Sequence, residues 1–244
     1  MIAVIEEEQA ELSSALRRDG CAFVAAPAMR EQLLQHGELA DWPAFADSWN
    51  SLAVDLHMAD GGRYRRRRYA VYHADREQGI HREAHQAHYQ SLAYNRLNGG
   101  VARWFEPVDE AIGAGSSMQT VLAYCLSLFD SLAPTTQRWH VEVHQFRIEA
   151  QPDRPGQPTP EGPHRDGVDY VLVLMIRRHN IASGTTAILT ADGAELGSFT
   201  LTTPLDAAIV DDARVYHGVT AVEPIDHLQP AYRDVLVVTF RKAD

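Results

Sequence analysis

Cysteine is scarce in this chain of 244 residues, which contains two, Cys21 and Cys125. They lie far apart, and neither belongs to a C-x-x-C pair. Thiolate zinc sites use closely spaced cysteines, and disulfide frameworks need several of them. Neither kind of site is indicated, and we expect both cysteines to be buried thiols.

Positive charge and long apolar runs are also in short supply. Lysine and arginine number 22 against 33 aspartates and glutamates, for a net charge of −11, so we expect no nucleic-acid partner. The acidic N-terminal stretch lacks the basic segment and apolar run of a secretory signal, and no run of about 18 apolar residues follows. We predict a cytoplasmic protein without a membrane segment, and homo-oligomerisation stays open.

G-x-S-x-G and glycine-rich phosphate loops are absent, which argues against a serine hydrolase.

The sequence pattern changes from helical or mixed to strand-rich near residue 135, and we predict one domain over 1–244. Helices are expected at 6–18, 44–56 and 117–132, and short strands at 21–24 and 64–72. The later strands are expected at 139–149, 168–177, 185–190, 195–202, 205–210, 214–220 and 232–241. Closely spaced strands without intervening helices favour an antiparallel sandwich or barrel. Residues 136–244 therefore form the predicted β core, and 1–135 its helical or mixed support.

A histidine and an aspartate stand at the end of a loop rich in proline and glycine, just before an apolar strand. Because residues i and i+2 of an extended segment project to the same side, His164 and Asp166 can hold one ion while Arg165 points away. His217, in a later strand, is the candidate third ligand. Two histidines and one carboxylate leave coordination positions open, as in non-haem Fe(II) oxygenases, whereas zinc sites are more often closed or hydrolytic.

An arginine near this predicted metal site would suit a carboxylate ligand. If the strands of His217 and of residues 232–241 form a hairpin, Arg233 falls close to His217, and its guanidinium fork can bind a carboxylate through two hydrogen bonds. The alternative is a structural arginine paired with Asp234 or Asp212.

Strand 139–149 offers two faces to a pocket. We predict Gln145 and Arg147 as pocket donors for a carboxylate-bearing ligand, because such a ligand needs polar anchors in an apolar cavity. A solvated outer face for these two residues remains the alternative. The opposite face carries His140, Glu142, His144 and Phe146.

Two charged clusters are left without an assigned role. The run Arg65–Arg68 would alternate across the two faces of a strand, and we interpret it as a solvated edge, with anion binding as the alternative. His81, His85 and His88 have helical spacing and could chelate a metal, although surface helices often collect histidines.

Taken together, several stretches resemble the bacterial 2-oxoglutarate/Fe(II) dioxygenases typified by L-isoleucine 4-hydroxylase. They are Leu97–Gly100, Arg103–Pro107, Gly162–Val171, Phe199–Leu201, Asp211–Asp212, Tyr216–Thr220 and Tyr232–Arg241. The resemblance covers residues 95–241 and implies a double-stranded β-helix of jelly-roll, cupin-like type. It implies that His164, Asp166 and His217 bind iron and are catalytic, and that Arg233 holds the distal carboxylate of 2-oxoglutarate.

The same resemblance implies a reaction. O2 and 2-oxoglutarate are consumed with Fe(II), succinate and CO2 are released, and an unactivated C–H bond of a small molecule, expected to be a free aliphatic L-amino acid, is hydroxylated. Halogenating relatives lack the metal carboxylate, whereas Asp166 is present. Two other readings stay open: a protein or peptide hydroxylase, and a non-oxidative cupin-like isomerase or ligand-binding protein.

Overall fold

Strands dominate the fold, and the described helices lie within residues 2–132. The computed structural model describes residues 2–95 and 97–243, with side chains from residue 10 onward. The helices are α1 (Ile2–Asp19), α2 (Ala26–Leu34), α3 (Trp42–Asp47), α4 (Glu110–Gly113) and α5 (Ser116–Leu132). The strands are β1 (Cys21–Val24), β2 (Ala53–Val54), β3 (Arg65–Asp75), β4 (Gly79–Arg82), β5 (Arg138–Ala150), β6 (Tyr170–His179), β7 (Ile181–Ser183), β8 (Thr185–Leu189), β9 (Glu195–Thr200), β10 (Ala207–Asp211), β11 (Tyr216–Val219), β12 (Val222–Pro224) and β13 (Ala231–Ala243).

The strands form a jelly roll from one large and one small antiparallel sheet. The large sheet has the order β1-β10-β6-β13-β5-β3-β2, with β4 added beside β3. The small sheet has the order β11-β8-β9, and β12 pairs with β7 separately. A small apolar cluster joins the two sheets, with Val171 and Val210 from the large one and Ile188 from the small one. The predicted jelly-roll fold is thus confirmed, although β1 to β4, from the part of the chain predicted as support, belong to the large sheet.

Alternation along β13 gives the large sheet two different faces. Leu236, Val238 and Phe240 are fully buried in a core that also contains the apolar stripe of α5. Arg233 and Val235 project from the other face and line a cavity between the sheets. Because side chains alternate with period two, one strand serves both the helical core and the cavity. The helices therefore brace the outer face of the sheet that carries the cavity on its inner face.

Most predicted elements are present, with local differences. The helix predicted at 44–56 ends in a 3-10 turn at Ser48–Ser51. The chain then extends because Ala53 pairs with Arg67 and Val54 with Arg66 in the antiparallel β2–β3 ladder. Cys125 is buried as expected, whereas Cys21 is partly exposed; both are free thiols. Among the described helices, none is long and apolar enough to cross a bilayer. The cytoplasmic location stays a prediction.

The arginine run lies inside the sheet, so its interpretation as a solvated edge is wrong. β3 has β5 on one side and β2 and β4 on the other. The predicted alternation is present: Arg65 and Arg67 are buried on the cavity face, whereas Arg66 pairs with Glu149 and Arg68 with Asp109. The interior position of the strand follows from pairing along its full length with β5.

The histidines with helical spacing do not share a helix. His81 lies in β4, and the chain beyond this strand is irregular up to an isolated bridge between His88 and Arg103. His81 stacks on His73, and His85 contacts Trp104. His88 alone among the three turns into the cavity. We call residues 83–95 and 97–109, which contribute several residues to the cavity lining, the cap segment.

Candidate metal centre and its cavity

Two histidines are brought together by a short backbone bridge between distant parts of the chain. The amide of His164 donates to the carbonyl of His217 at 2.9 Å, and the amide of His217 donates back at 3.0 Å. In such a pair the two side chains project to the same side. The imidazole centroids are consequently 4.7 Å apart.

Asp166 completes the group predicted from the sequence. Its carboxylate oxygens lie 3.5 Å from His164 Nε2 and 3.6 Å from His217 Nε2. The three ligand atoms lie within 4.8 Å of one another. Arg165 turns away, donates to the carbonyl of Ala213 and stacks on Tyr216, as the i, i+2 argument predicted. The residues therefore fit the donor set of a two-histidine, one-carboxylate metal site.

The loop that carries Asp166 is fixed by a second aspartate. Asp212 accepts hydrogen bonds from the amides of Asp166, Gly167 and Val168 at 2.9, 2.8 and 3.1 Å. Burial, followed by the charge of Asp166, raises the pKa of Asp212 to about 7. Gly167 has φ +83°, a conformation that glycine adopts without strain, and this lets the loop turn around the Asp212 carboxylate.

Hydrogen bonds also orient the ligands from the outside. His164 Nδ1 lies 3.1 Å from the carbonyl of Gly162, which leaves Nε2 facing Asp166. Gln90 of the cap segment donates to the backbone carbonyl of Asp166 at 3.0 Å and lies 3.4 Å from its Oδ1. Such outer contacts fix the tautomer and orientation of metal ligands.

The three candidate ligands have strongly altered proton affinities. Burial lowers the pKa of His164, but the hydrogen bond and charge of Asp166 outweigh it and raise this pKa to about 9. Burial and the charge of His164 lower the pKa of His217 to about 4. Burial of Asp166 is outweighed by its contacts with His164, which lower its pKa far below the ordinary range. At neutral pH a metal ion would therefore meet an aspartate anion and a neutral His217, and would displace one proton from His164.

The candidate ligands lie at the wall of a cavity of about 440 Å³. Its floor comes from the large sheet through Val171 and Val235, and its opposite side from the small sheet through Thr186 and His217. The cap segment covers it with Tyr89, Gln90, Tyr94 and Asn95. A volume of this size suits small ligands.

Arg233 lines the same cavity, although the hairpin argument that led to it is wrong. β11 pairs with β8, and β13 pairs with β5 and β6, so the strands of His217 and Arg233 are not sheet neighbours. Arg233 is 3% exposed, and its Nε and Nη2 have no hydrogen-bond partner among the described residues. Asp234 instead pairs with Arg147, and Asp212 binds the Asp166 loop. Neither structural partner considered for Arg233 is thus used.

The prediction for Gln145 and Arg147 placed them on the wrong face of β5. Gln145 donates to Ser48 Oγ at 2.8 Å. Arg147 forms two 2.7 Å hydrogen bonds with Asp234 and stacks on Tyr232. The cavity is lined by the opposite face: His140, Glu142, His144, Phe146 and Ile148. This face turns inward because the other one packs against the helical side, where Val141 and Val143 are fully buried.

Sequence reasoning missed a second cluster of two histidines and a carboxylate. His88, Glu142 and His144 have ligand atoms within 4.8 Å of one another. Glu142 and His144 repeat the i, i+2 spacing of His164 and Asp166 on a strand, and this was a usable signal. The third member, His88, gave no such signal, and neither did Gln90. Both residues lie in the irregular cap segment.

The chain has recognisable relatives. A family model described as 2OG-Fe dioxygenase matches residues 46–239. The 3(1)-hydroxy-L-isoleucine 4-dioxygenase of Pantoea ananatis (strain AJ13355) is 30% identical over 157 residues, 63% of this chain and 63% of that protein. The L-isoleucine-4-hydroxylase of Bacillus thuringiensis is 25% identical over 156 residues, 63% of this chain and 64% of that protein.

A solved structure extends the likeness over nearly the whole fold. A bsmA homolog from Methylobium petroleophilum PM1 superposes with a TM-score of 0.87 at 36% identity, covering 96% of this chain and 93% of that one. The matches to the two curated relatives span just under two thirds of their length. The family match itself covers most of the present chain, including every candidate metal ligand. The chain therefore belongs to the 2OG-Fe dioxygenase family.

Proposed function

We propose that this protein is an Fe(II)- and 2-oxoglutarate-dependent dioxygenase that hydroxylates an unactivated C–H bond of a free aliphatic L-amino acid. The observation that carries the proposal is the convergence of His164, Asp166 and His217 at the wall of a covered cavity. The family uses Fe(II), 2-oxoglutarate and O2. Bound iron, with 2-oxoglutarate and O2 as co-substrates, would supply the oxidising power for C–H cleavage, and O2 would be the source of the hydroxyl oxygen.

The side chains around the metal site have separate roles in this proposal. His164, Asp166 and His217 hold the iron on one side, which leaves its other side to the cavity. Asp212 holds the Asp166 loop through three amides, and Gln90 connects that loop with the cap segment. These contacts keep the ligands oriented before the metal and the substrate arrive.

Arg233 is the proposed partner of the distal carboxylate of 2-oxoglutarate. Burial and the nearby Arg178 lower its pKa to about 10, so it remains charged at neutral pH. A buried cation with unpaired nitrogens is costly unless an anion satisfies it. A carboxylate that accepts two hydrogen bonds from the guanidinium would remove this cost.

The cavity supports a small molecule over a peptide as the substrate. Its volume of about 440 Å³ must hold both 2-oxoglutarate and the substrate, and the cap segment runs over it where a peptide would need an open groove. The two curated relatives bear the names of an L-isoleucine hydroxylase and a hydroxy-L-isoleucine dioxygenase. Asp166 occupies the third ligand position, which favours hydroxylation over halogenation.

A panel assay tests the proposal. Purified protein with Fe(II), 2-oxoglutarate, O2 and aliphatic L-amino acids should release succinate and form a product heavier by one oxygen atom, detected by mass spectrometry. Absence of turnover with every panel member would remove the substrate claim. Absence of succinate under all conditions would favour a non-oxidative cupin-like protein.

A further inference from the structure

An unpaired arginine of the cap segment faces the cavity away from the metal site. Arg103 is 2% exposed, and its Nε has no hydrogen-bond partner among the described residues. Two backbone hydrogen bonds of 2.9 Å with His88 fix its position. Arg103 is therefore held in place by its backbone, while its guanidinium Nε has no acceptor within the described part of the chain.

A second arginine beside it is held rigidly in the cavity wall. Arg67 stacks on Phe105, with its guanidinium carbon 3.6 Å from the ring centroid, and lies 4.6 Å from the ring centroid of Phe146. Its Nη2 donates to His144 Nδ1 at 2.7 Å, whereas its buried Nε has no partner among the described residues. Stacking between rings orients a guanidinium without neutralising its charge.

The carboxylates near Arg103 are engaged elsewhere. Arg65, Arg67 and Arg103 line this part of the cavity, and Asp55 is the carboxylate that pairs with the first two, at 2.7 and 3.7 Å. Glu142 is occupied by hydrogen bonds from Tyr69 at 2.7 Å and His88 at 3.1 Å. Glu161 is a third carboxylate of the cavity lining, and it lies 3.5 Å from His164 Nδ1. Of the three arginines, Arg103 is the one that forms no ion pair among the described residues.

The hydrogen bonds of this cluster argue against a second metal ion at His88, Glu142 and His144. Arg67 donates to the Nδ1 lone pair of His144, so the neutral ring carries its proton on Nε2, the nitrogen 3.6 Å from Glu142. Neither nitrogen of His144 is then free to bind a metal. A divalent cation would also sit among three guanidinium groups in a medium of low dielectric. The unpartnered Nε atoms of Arg67 and Arg103 instead favour an anion as the ligand.

The anion is distinct from the distal carboxylate assigned to Arg233. Arg233 pairs across the sheet with Ile148, which pairs on its other side with Arg65. β13 and β3 are thus separated by β5, so the two arginine-bearing strands lie about 10 Å apart at two inter-strand spacings. The cavity floor therefore has one cationic end at Arg233 and another at the β3 side, where Arg103 covers it.

We propose that Arg103, supported by Arg67, binds the carboxylate of the substrate that is hydroxylated. The inference rests on the proposed function and specifies its substrate class: a small monocarboxylic acid, which an amino acid is. The same cap segment carries Gln90, which contacts the Asp166 loop. A carboxylate held at Arg103 thereby positions the rest of the substrate under the cap, on the cavity side of the metal ligands.

The test compares an acid with its amide in matched variants. L-isoleucine and L-isoleucinamide are assayed with the wild-type protein, Arg103→Met, Arg103→Lys and the exposed control Arg63→Met. In the wild type we expect the amide to have a kcat/KM about 100-fold lower, the scale of charge-assisted hydrogen bonds. Arg103→Met should lose this preference through a KM for the acid about 100-fold higher. Arg103→Lys should fall between, and Arg63→Met should match the wild type.

Two further measurements separate this role from folding and from 2-oxoglutarate binding. Removal of an unpaired buried cation should leave the thermal midpoint of the ligand-free protein unchanged or raise it. The affinity of Arg103→Met for 2-oxoglutarate should equal that of the wild type. Full discrimination between acid and amide in Arg103→Met, or a selective loss of 2-oxoglutarate affinity, would overturn the proposal.

A failure of the proposed function gives a different result. If no amino acid is turned over, calorimetric titration of L-isoleucine into protein loaded with Mn(II) and 2-oxoglutarate decides the matter. Binding that is lost for the amide and in Arg103→Met supports the carboxylate site. Absence of binding to the wild type, or equal binding to Arg103→Met, rejects it.

Discussion

Two clusters in the same cavity contain the same residue types, yet they differ in what their ligand atoms contact. One consists of His164, Asp166 and His217, and the other of His88, Glu142 and His144. Each combines an i, i+2 pair of a histidine and a carboxylate with a histidine from elsewhere. Residue type and spacing alone therefore do not identify the metal site.

Hydrogen bonding separates the two clusters. The Glu142 carboxylate accepts from Tyr69 and His88, and His144 Nδ1 accepts from Arg67. In the other cluster the Nε2 atoms of His164 and His217 face the Asp166 carboxylate, and the hydrogen bond to Gly162 engages the outer nitrogen of His164. The outer nitrogen of His217 has no hydrogen-bond partner among the described residues and lies 3.9 Å from Asp212. The two clusters therefore differ in their inner atoms, which are free only in the cluster of His164, Asp166 and His217.

The largest effect should come from one isosteric change made in each cluster. Asp166→Asn removes the charged ligand, and we expect loss of metal retention and a fall in turnover on the order of 10³-fold or more, as when one member of a catalytic unit is removed. Glu142→Gln should retain metal, because we assign its cluster to hydrogen bonding. Metal content per chain by atomic absorption, read beside succinate release, checks both.

The comparison would fail in two ways. Full metal content in Asp166→Asn would show that the ion binds elsewhere. Loss of metal in Glu142→Gln, with circular dichroism unchanged, would make the second cluster a metal site. His217→Ala provides an independent check within the first cluster and should match Asp166→Asn.

The next largest effect should come from Asp55, whose carboxylate pairs with Arg67, the arginine that donates to His144 of the second cluster. Asp55 has a fully buried side chain and pairs with Arg65 and Arg67. Asp55→Asn should lower the free energy of unfolding by about 3 kcal/mol, because it leaves buried cations uncompensated. Asp47→Asn, which breaks the solvent-exposed pair with Arg177, should cost under about 1 kcal/mol. Urea unfolding measures both.

The same pair predicts a pH dependence with a defined sign. Burial raises the pKa of Asp55, but Arg65 and Arg67 outweigh it and hold the pKa below its ordinary value. Its contribution is therefore present above the ordinary carboxyl pKa of about 3.9 and is lost as pH falls through the lowered folded-state value. The difference in stability between wild type and Asp55→Asn should shrink over this acidic range. A constant difference would contradict the assignment.

The sequence predicted the strands and the grouping of the three candidate metal ligands because those signals are local. The i, i+2 rule placed His164 and Asp166 on one side, and the burial of α5 follows its apolar periodicity. The choice of face on β5 could not be predicted, because both faces carry polar residues. It was decided by packing: the face with Val141 and Val143 joins the helical core, which turns Glu142 and His144 toward the cavity.

The positions of the cap-segment residues could not be predicted from local rules, for a different reason. Gln90 and Arg103 lie in a segment with little regular structure, where periodicity gives no direction. Their placement depends on the bridge between His88 and Arg103 and on hydrogen bonds to the Asp166 loop. The charge of Arg65 and Arg67 favours an edge position. Their burial depends on the pairing of β3 with its neighbours, which the local sequence does not show.

The smallest of the expected effects comes from Asp212, which distinguishes the metal cluster by supporting its loop. Asp212→Asn exchanges one acceptor oxygen for an NH2 group that opposes the amides of residues 166–168. We expect Fe(II) affinity to fall about 10–100-fold, the range for loss of an outer-shell partner. Competition with a chelator measures it.

A matched control separates local support of the metal from general loss of stability. Asp206 also accepts several backbone hydrogen bonds, from Thr202 and Thr203 at 2.8 Å and from Ala26 at 3.0 Å, and it does not line the cavity. Asp206→Asn should lower the thermal midpoint to a similar degree while Fe(II) affinity stays at the wild-type value. Equal loss of affinity in both variants would mean that Asp212 acts only through stability. Loss confined to Asp212→Asn ties the geometry of Asp166 to the carboxylate that holds its loop.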